Sequence, residues 1–136
     1  MEMRRLGHTE MKVSRLGIGL FQIGELAAKE ASMKVDTLLG TALEQGLNFL
    51  DTAACYGESE SYLGSFVSTH RQAFVLATKC GHLAGELQGQ PWSADLVKHS
   101  LERSLARLQT DHSDLLQIHS CDKATLEKGE IIDALM

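Results

Sequence analysis

The chain is short of the residues that mark secreted, membrane-spanning or nucleic-acid-binding proteins. Cysteine occurs three times, at Cys55, Cys80 and Cys121. An odd count without the paired spacing of a disulfide framework is expected to mean three free thiols in a reducing compartment. Basic residues are outnumbered, with 13 Lys and Arg against 18 Asp and Glu, for a formal charge of −5. An acidic chain without basic clusters is poorly suited to nucleic acid or an anionic membrane surface. No apolar run approaches the ~20 residues that cross a bilayer. The opening Met1-Glu-Met-Arg-Arg5 is charged and leads into no apolar stretch, so no signal peptide and a cytoplasmic location are expected. Proline occurs once, at Pro91, and low-complexity segments are lacking.

What is present is ordinary globular material: 136 residues, 43% hydrophobic and 23% charged, enough for one domain with a single core. A rhythm runs through it, a short apolar run followed by a polar loop and a segment of helical period. Arg4–Val13 reads as a small β-hairpin around Gly7. Leu16-Gly-Ile-Gly-Leu20 is the first clean run. A helix is expected over about Ala31–Gln45, with Val35, Leu38, Leu39, Ala42 and Leu43 on one face and Gly46 as its stop. Leu47–Asp51 is the next strand. Ser59 is placed to cap a helix that buries Tyr62, Leu63, Phe66 and Val67. Phe74–Lys79 reads as a strand. Ser93 caps a helix with Val97, Leu101, Leu105 and Leu108 as its stripe, Asp95 in its first turn, and Arg103 and Arg107 suiting the dipole at its end. Leu115–His119 is a fourth strand, and Leu126–Met136 opens a helix with no C-terminal stop.

Strands alternating with helices imply parallel pairing through right-handed crossovers. A doubly wound nucleotide fold requires G-x-G-x-x-G between its first strand and helix. Gly17 and Gly19 satisfy two positions, but Gln22 stands at the third, and a long gap separates strand from helix. A (β/α) barrel is the better reading. A complete one needs eight units and about 250 residues. The expectation is therefore half of an α/β TIM barrel, four parallel strands with an N-terminal hairpin plug, forming a single partial domain over residues 1–136 and truncated in mid-helix. A lone half-barrel has open edges and a wet apolar face, so self-association to close a barrel, or aggregation, is expected of it.

Three ionisable residues, Asp51, Lys79 and His119, each end a predicted strand, and in a parallel barrel those ends form the active-site rim. By strand alternation Phe49 shares a face with Asp51, Val75 and Ala77 with Lys79, and Leu115 and Gln117 with His119. A buried Lys needs a counter-ion, and Asp51 is the obvious one. Tyr56 lies in the loop that leans over the same rim. Singly, each residue has a plainer use: Asp51 in a turn, Lys79 snorkelling, His119 in the core. At three successive strand ends they read as one site. The chemistry the set supports is carbonyl reduction, where hydride arriving at carbon leaves charge on oxygen. Tyr is a reluctant acid at neutral pH, and an adjacent ammonium stabilises the phenolate it leaves. Asp51 would orient Lys79, and His119 would hydrogen-bond the carbonyl oxygen.

These residues stand in recognisable segments. Asp51-Thr-Ala-Ala-Cys-Tyr-Gly-Glu-Ser-Glu60 resembles the aldo-keto reductase signature, Ala77-Thr-Lys79 its lysine strand, and Asp114-Leu-Leu-Gln-Ile-His119 the segment ending in its histidine. Arg5–Gly19 is similar to the hairpin and first strand of that family. The resemblance implies a tetrad of Tyr56 as general acid with Asp51, Lys79 and His119, acting on a small-molecule carbonyl substrate. It implies NADP(H), or less often NAD(H), with Gly19, Leu20, Phe21 and Asp51 at the nicotinamide end. The remaining cofactor contacts belong to later strands of the family's barrel, so the 136 residues alone are expected to lack reductase activity.

Two rival readings stand beside it. Cys80 with His82 and His119 with Cys121 suggest metal ligands, but neither spacing is a recognised zinc pair and catalytic zinc needs three converging ligands, so no metal is expected. The other rival is a non-catalytic fragment or binding barrel of the same ancestry, since fold does not dictate activity. Trp92, beside Pro91 in the long loop from Cys80, reads equally as lid or packing. Tyr62 is expected in the core.

Overall fold

Period-two alternation sorts the strand residues onto two faces, and that sorting places the site. A computed structural model describes residues 1–26 and 28–136, with the backbone alone for residues 28–30 and 32. Strands β1 (Met3–Arg5) and β2 (Lys12–Ser14) form an antiparallel hairpin with Arg4 opposite Val13. Strands β3 (Ile18–Gly19), β4 (Phe49–Asp51), β5 (Val75–Cys80) and β6 (Leu115–Ile118) form one parallel sheet in sequential order. Helices α1 (Ala28–Glu44), α2 (Ser59–His70) and α3 (Ala94–Leu108) connect them. Two short helices, α4 (Lys123–Glu127) and α5 (Glu130–Asp133), follow β6. This is half the strand complement of an eight-stranded barrel. Among the described residues no helix is long and apolar enough to cross a membrane.

Leu50 and Leu76 point to the outer face and join Leu20, Leu39, Leu63, Phe66, Val67 and Leu108 in the main core beneath α1 and α2. Each such side chain stabilises the fold by about 1.5–3 kcal/mol relative to exposure. Cys80 also turns outward, into a second cluster with Val97 and Ile131. Phe49, Leu115 and Gln117 face the other way, onto a concavity of about 650 Å³ that Arg5 and Val13 of the hairpin also line.

Several elements depart from the pattern-based reading, each for a local reason. The first strand shortens to Ile18–Gly19 and leaves Leu16 exposed. On α1, Val35, Leu39 and Ala42 are buried but Leu38 is exposed, because the stripe is narrower than its apolar residues. On α3, Ser100 and Ser104 are buried while Leu101 and Leu105 are only half-buried. Small residues there permit close approach of α2, where a Cβ on Gly64 would stand 2.4 Å from the Arg107 carbonyl oxygen. Ser93 does cap α3, accepting from the Leu96 N–H at 3.3 Å. Ser59 does not cap α2. Glu58 is the N-cap residue, and Ser59 Oγ is drawn inward to the Leu20 carbonyl (2.9 Å) and Thr52 Oγ1 (2.9 Å), buried polar groups that need partners. The expected Leu126–Met136 helix is broken at Gly129, whose φ of +79° separates α4 from α5.

Candidate active site

The ends of β4, β5 and β6 deliver Asp51, Lys79 and His119 to one rim. Asp51 and Lys79 lie on adjacent strands, with Asp51 in register with Ala77. Lys79 Nζ donates to Asp51 Oδ2 at 2.7 Å and to the Thr52 carbonyl at 2.8 Å. The other carboxylate oxygen accepts from Gln117 Nε2 at 3.1 Å. The pair is largely shielded, with side chains 12% and 32% exposed. Loss of either partner would leave a poorly solvated charge.

Tyr56 stands above this pair. The Lys79 ammonium lies over the face of its ring, 4.8 Å from the centroid, a position in which the ring quadrupole attracts the cation. Phe21 and His119 meet the ring edge-on at 5.1 and 5.7 Å. Among the described residues nothing hydrogen-bonds the phenol oxygen, which leaves it available to a ligand.

His119 is held by its backbone. Its N–H donates to the Cys80 carbonyl at 2.9 Å, and its own carbonyl accepts from the Trp92 indole at 2.9 Å. Trp92 is thus a packing and positioning residue rather than a lid, in a left-handed conformation (φ 57°) against Gly81. The imidazole Nδ1 is 3.2 Å from Cys55 Sγ, and the ring stacks on His82 at 4.7 Å. Burial lowers the His119 pKa, His82 and Lys79 lower it further, and Asp51 opposes them. The ring is therefore neutral at pH 7, able to donate from one nitrogen and accept at the other.

That depression has a measurable consequence. A histidine whose folded pKa lies below its unfolded value of about 6.5 binds fewer protons when folded, so stability rises with pH through that window. The contribution is complete above about pH 6.5 and is lost as pH falls through the folded value. Denaturant unfolding between pH 7 and 5 should show a steeper loss in the wild type than in His119→Gln. Equal slopes would contradict the assignment.

The aldo/keto reductase family model matches residues 15–136. The chain belongs to this family. It is 34% identical to the L-galactose dehydrogenase of Arabidopsis thaliana, an alignment covering 99% of the chain and 44% of that protein. It is 36% identical to the 6-dehydroglucose reductase of Novosphingobium aromaticivorans, over 88% of the chain and 41% of the relative. The holo form of an aldo-keto reductase from Bacillus halodurans superposes with a TM-score of 0.83 at 33% identity, covering 98% of this chain and 45% of that one. The chain thus spans less than half the length of these relatives, and its sheet is part of an aldo-keto reductase barrel.

Of the residues expected at the cofactor of this aldo-keto reductase chain, Gly19 and Phe21 remain accessible and Leu20 does not. A Cβ on Gly19 would meet open space, and Phe21 is 51% exposed. The Leu20 side chain is fully buried, its N–H donates to Asp51 O, and its carbonyl accepts from Ser59. Its side chain and N–H are taken, and its carbonyl is already engaged. The space at Gly19 is open, and its register partner on β4 is Asp51.

The loop that carries Tyr56 and its surroundings are fixed by contacts that periodicity does not show. Gly24 packs so closely on it that a Cβ would fall 1.9 Å from the Tyr56 carbonyl oxygen. Gly57 adopts φ +54° against the same Gly24 carbonyl. Arg103, read from sequence as a dipole partner, instead donates to the Ala84 carbonyl and to the Ala54 carbonyl at 3.2 Å. Arg107 does stand in the last turn of α3, as expected, and also reaches the Gly57 carbonyl at 3.4 Å. Glu60, fully buried, accepts from Thr78 Oγ1 at 2.7 Å and ties α2 to β5. Asp114, which begins the histidine segment, accepts from the Leu76 N–H at 2.7 Å and from Arg71 at 2.8 Å.

The Cys/His pairs weighed from sequence do not form among the described residues, because Cys80 points into the second core cluster and Cys121 bonds locally, to Asp122 O. Burial pushes the Cys80 thiol up to about 11 and raises Cys55 as well. Thiolate is the reactive form, so thiol titration of the native chain should modify Cys121 first and Cys80 only on unfolding. Early labelling of Cys80, read by peptide mass, would contradict this packing.

Proposed function

We propose that this chain carries the acid–base machinery of an NAD(P)H-dependent carbonyl reductase, with Tyr56 as proton donor to the oxygen of a small aldehyde or ketone. The observation that supports it most is one cluster at the strand ends: Lys79 bonded to Asp51 at 2.7 Å, its ammonium over the Tyr56 ring, and His119 against the same ring. NADP(H), or NAD(H), supplies the hydride when bound, with Gly19, Phe21 and Asp51 at its nicotinamide end. Its pyrophosphate and adenosine contacts are assigned to the rest of a complete barrel.

As negative charge gathers on the carbonyl oxygen, Tyr56 transfers its proton there. Lys79 then balances the phenolate, and Asp51, braced by Gln117, keeps the ammonium in place. The Cys55 thiol, kept protonated by burial, lies 3.2 Å from His119 Nδ1, and catalysis uses the tautomer in which that nitrogen accepts. That leaves Nε2 carrying the hydrogen and able to bond the carbonyl oxygen.

The test is loss of nicotinamide absorbance from NADPH with a panel of aldehydes and ketones. Two relatives are named for sugar or dehydro-sugar conversions, so polyhydroxylated carbonyl compounds head the panel. The chain joined to the remaining strands of a related barrel should turn over substrate in a Tyr56-dependent way, and the 136 residues alone should not.

A further inference from the structure

We propose that Cys55, His82 and His119 form a binding site for a single zinc ion at the catalytic rim. One donor atom from each lies within 4.8 Å of the others, and Cys55 Sγ stands 3.2 Å from His119 Nδ1. Tetrahedral ligands at zinc bond lengths of about 2.0–2.3 Å are roughly 3.3–3.8 Å apart, so the three donors need only small side-chain adjustments. The imidazoles are now stacked, with 16° between planes. Coordination turns one ring about its side-chain torsions and leaves the backbone in place.

The backbones are already fixed for the task. Cys55 follows Ala54, whose N–H donates to the Lys79 carbonyl at 3.2 Å and whose own carbonyl is held by Arg103. His82 follows Gly81, whose φ of +105° lets the turn close against Trp92. His119 is clamped through both backbone groups. His82 Nε2 is buried and has no hydrogen-bond partner among the described residues, a condition native structures seldom leave unexplained. A thiol and two imidazoles, with no carboxylate, select a borderline-soft ion such as zinc over magnesium or calcium. Three protein ligands leave a fourth position open. The Lys79 ammonium repels a cation here, and its partner Asp51 offsets that charge. On binding, the Cys55 S–H bond breaks, a sulfur–zinc bond forms and the proton leaves to solvent, with no change in oxidation state. If the reductase reading holds, zinc replaces the Cys55 contact at His119 Nδ1 and brings a positive charge to the rim where the carbonyl would sit; binding itself does not depend on that reading.

The experiment is equilibrium titration of the reduced 136-residue chain with Zn²⁺, and with Co²⁺ as a spectroscopic probe. One ion per chain is expected, with a thiolate-to-cobalt charge-transfer band that Cys55→Ser abolishes and Cys121→Ser retains. His82→Ala should weaken Zn²⁺ binding at least tenfold. In the unaltered chain, Zn²⁺ should slow alkylation of Cys55 at least tenfold and leave Cys121 unchanged, a readout that needs no variant to fold. Absence of one-to-one binding, a band that follows Cys121, or unprotected Cys55 would each overturn the site.

Discussion

Exchange of Tyr56 for Phe should lower kcat of the barrel-completed protein by about 10²–10⁴-fold, the usual worth of a positioned acid. The substitution removes one oxygen and little else. The ring keeps its edge contacts with Phe21 and His119, at 5.1 and 5.7 Å, and stays beneath the Lys79 ammonium. Nothing among the described residues bonds the lost hydroxyl, so no buried partner is orphaned and the fold should be unaffected. An interaction used only as charge develops lowers kcat and leaves KM nearly unchanged. Steady-state kinetics with intact folding by circular dichroism makes the measurement. Undiminished turnover in the variant would remove Tyr56 from the proton-transfer step.

The second large effect lies outside the tetrad. Gly24→Ala should destabilise the chain by about 1–3 kcal/mol, the cost of overpacking, or displace the loop that carries Tyr56. The added Cβ would fall 1.9 Å from the Tyr56 carbonyl oxygen, 2.9 Å from its carbon and 3.1 Å from the Ser59 nitrogen. All three are backbone atoms, which cannot swing aside as a side chain does. The strain must therefore move either the turn after β3 or the loop that carries Tyr56. Gly40→Ala is the matched control, because a Cβ there meets nothing within 4 Å and the site is inside α1. Ala there favours the helix by up to about 1 kcal/mol. Denaturant midpoints should move in opposite directions for the two variants. A Gly24→Ala protein as stable as wild type, with normal turnover in the completed barrel, would refute the role given to this contact.

These two predictions differ in how visible their residues were beforehand. Asp51, Lys79 and His119 could be grouped because each ends a strand, and strand alternation dictates which face each takes. Tyr56 followed from its place in a recognisable segment. Gly24 carried no such mark. It lies in a single 3-10 turn, Gln22–Glu25, and its importance comes from a backbone thirty-two residues away in sequence. Arg103 was misread for the same reason: helical position says where the residue starts, not which carbonyls its long side chain reaches.

Periodicity, together with the failed glycine fingerprint, determined the class of fold, the parallel order of four strands, and the common rim of three charged or polar side chains. It could do so because a two-residue repeat fixes orientation locally and chain order fixes neighbours in a parallel sheet. Tertiary structure alone decided which loop atoms touch across that rim. Cys55 meets His119 and His82, Leu20 turns inward, Trp92 grips the His119 carbonyl and Ser59 leaves its cap for the core. Such contacts join segments with no shared repeat, and they are set by packing and by the need to pair every buried polar group.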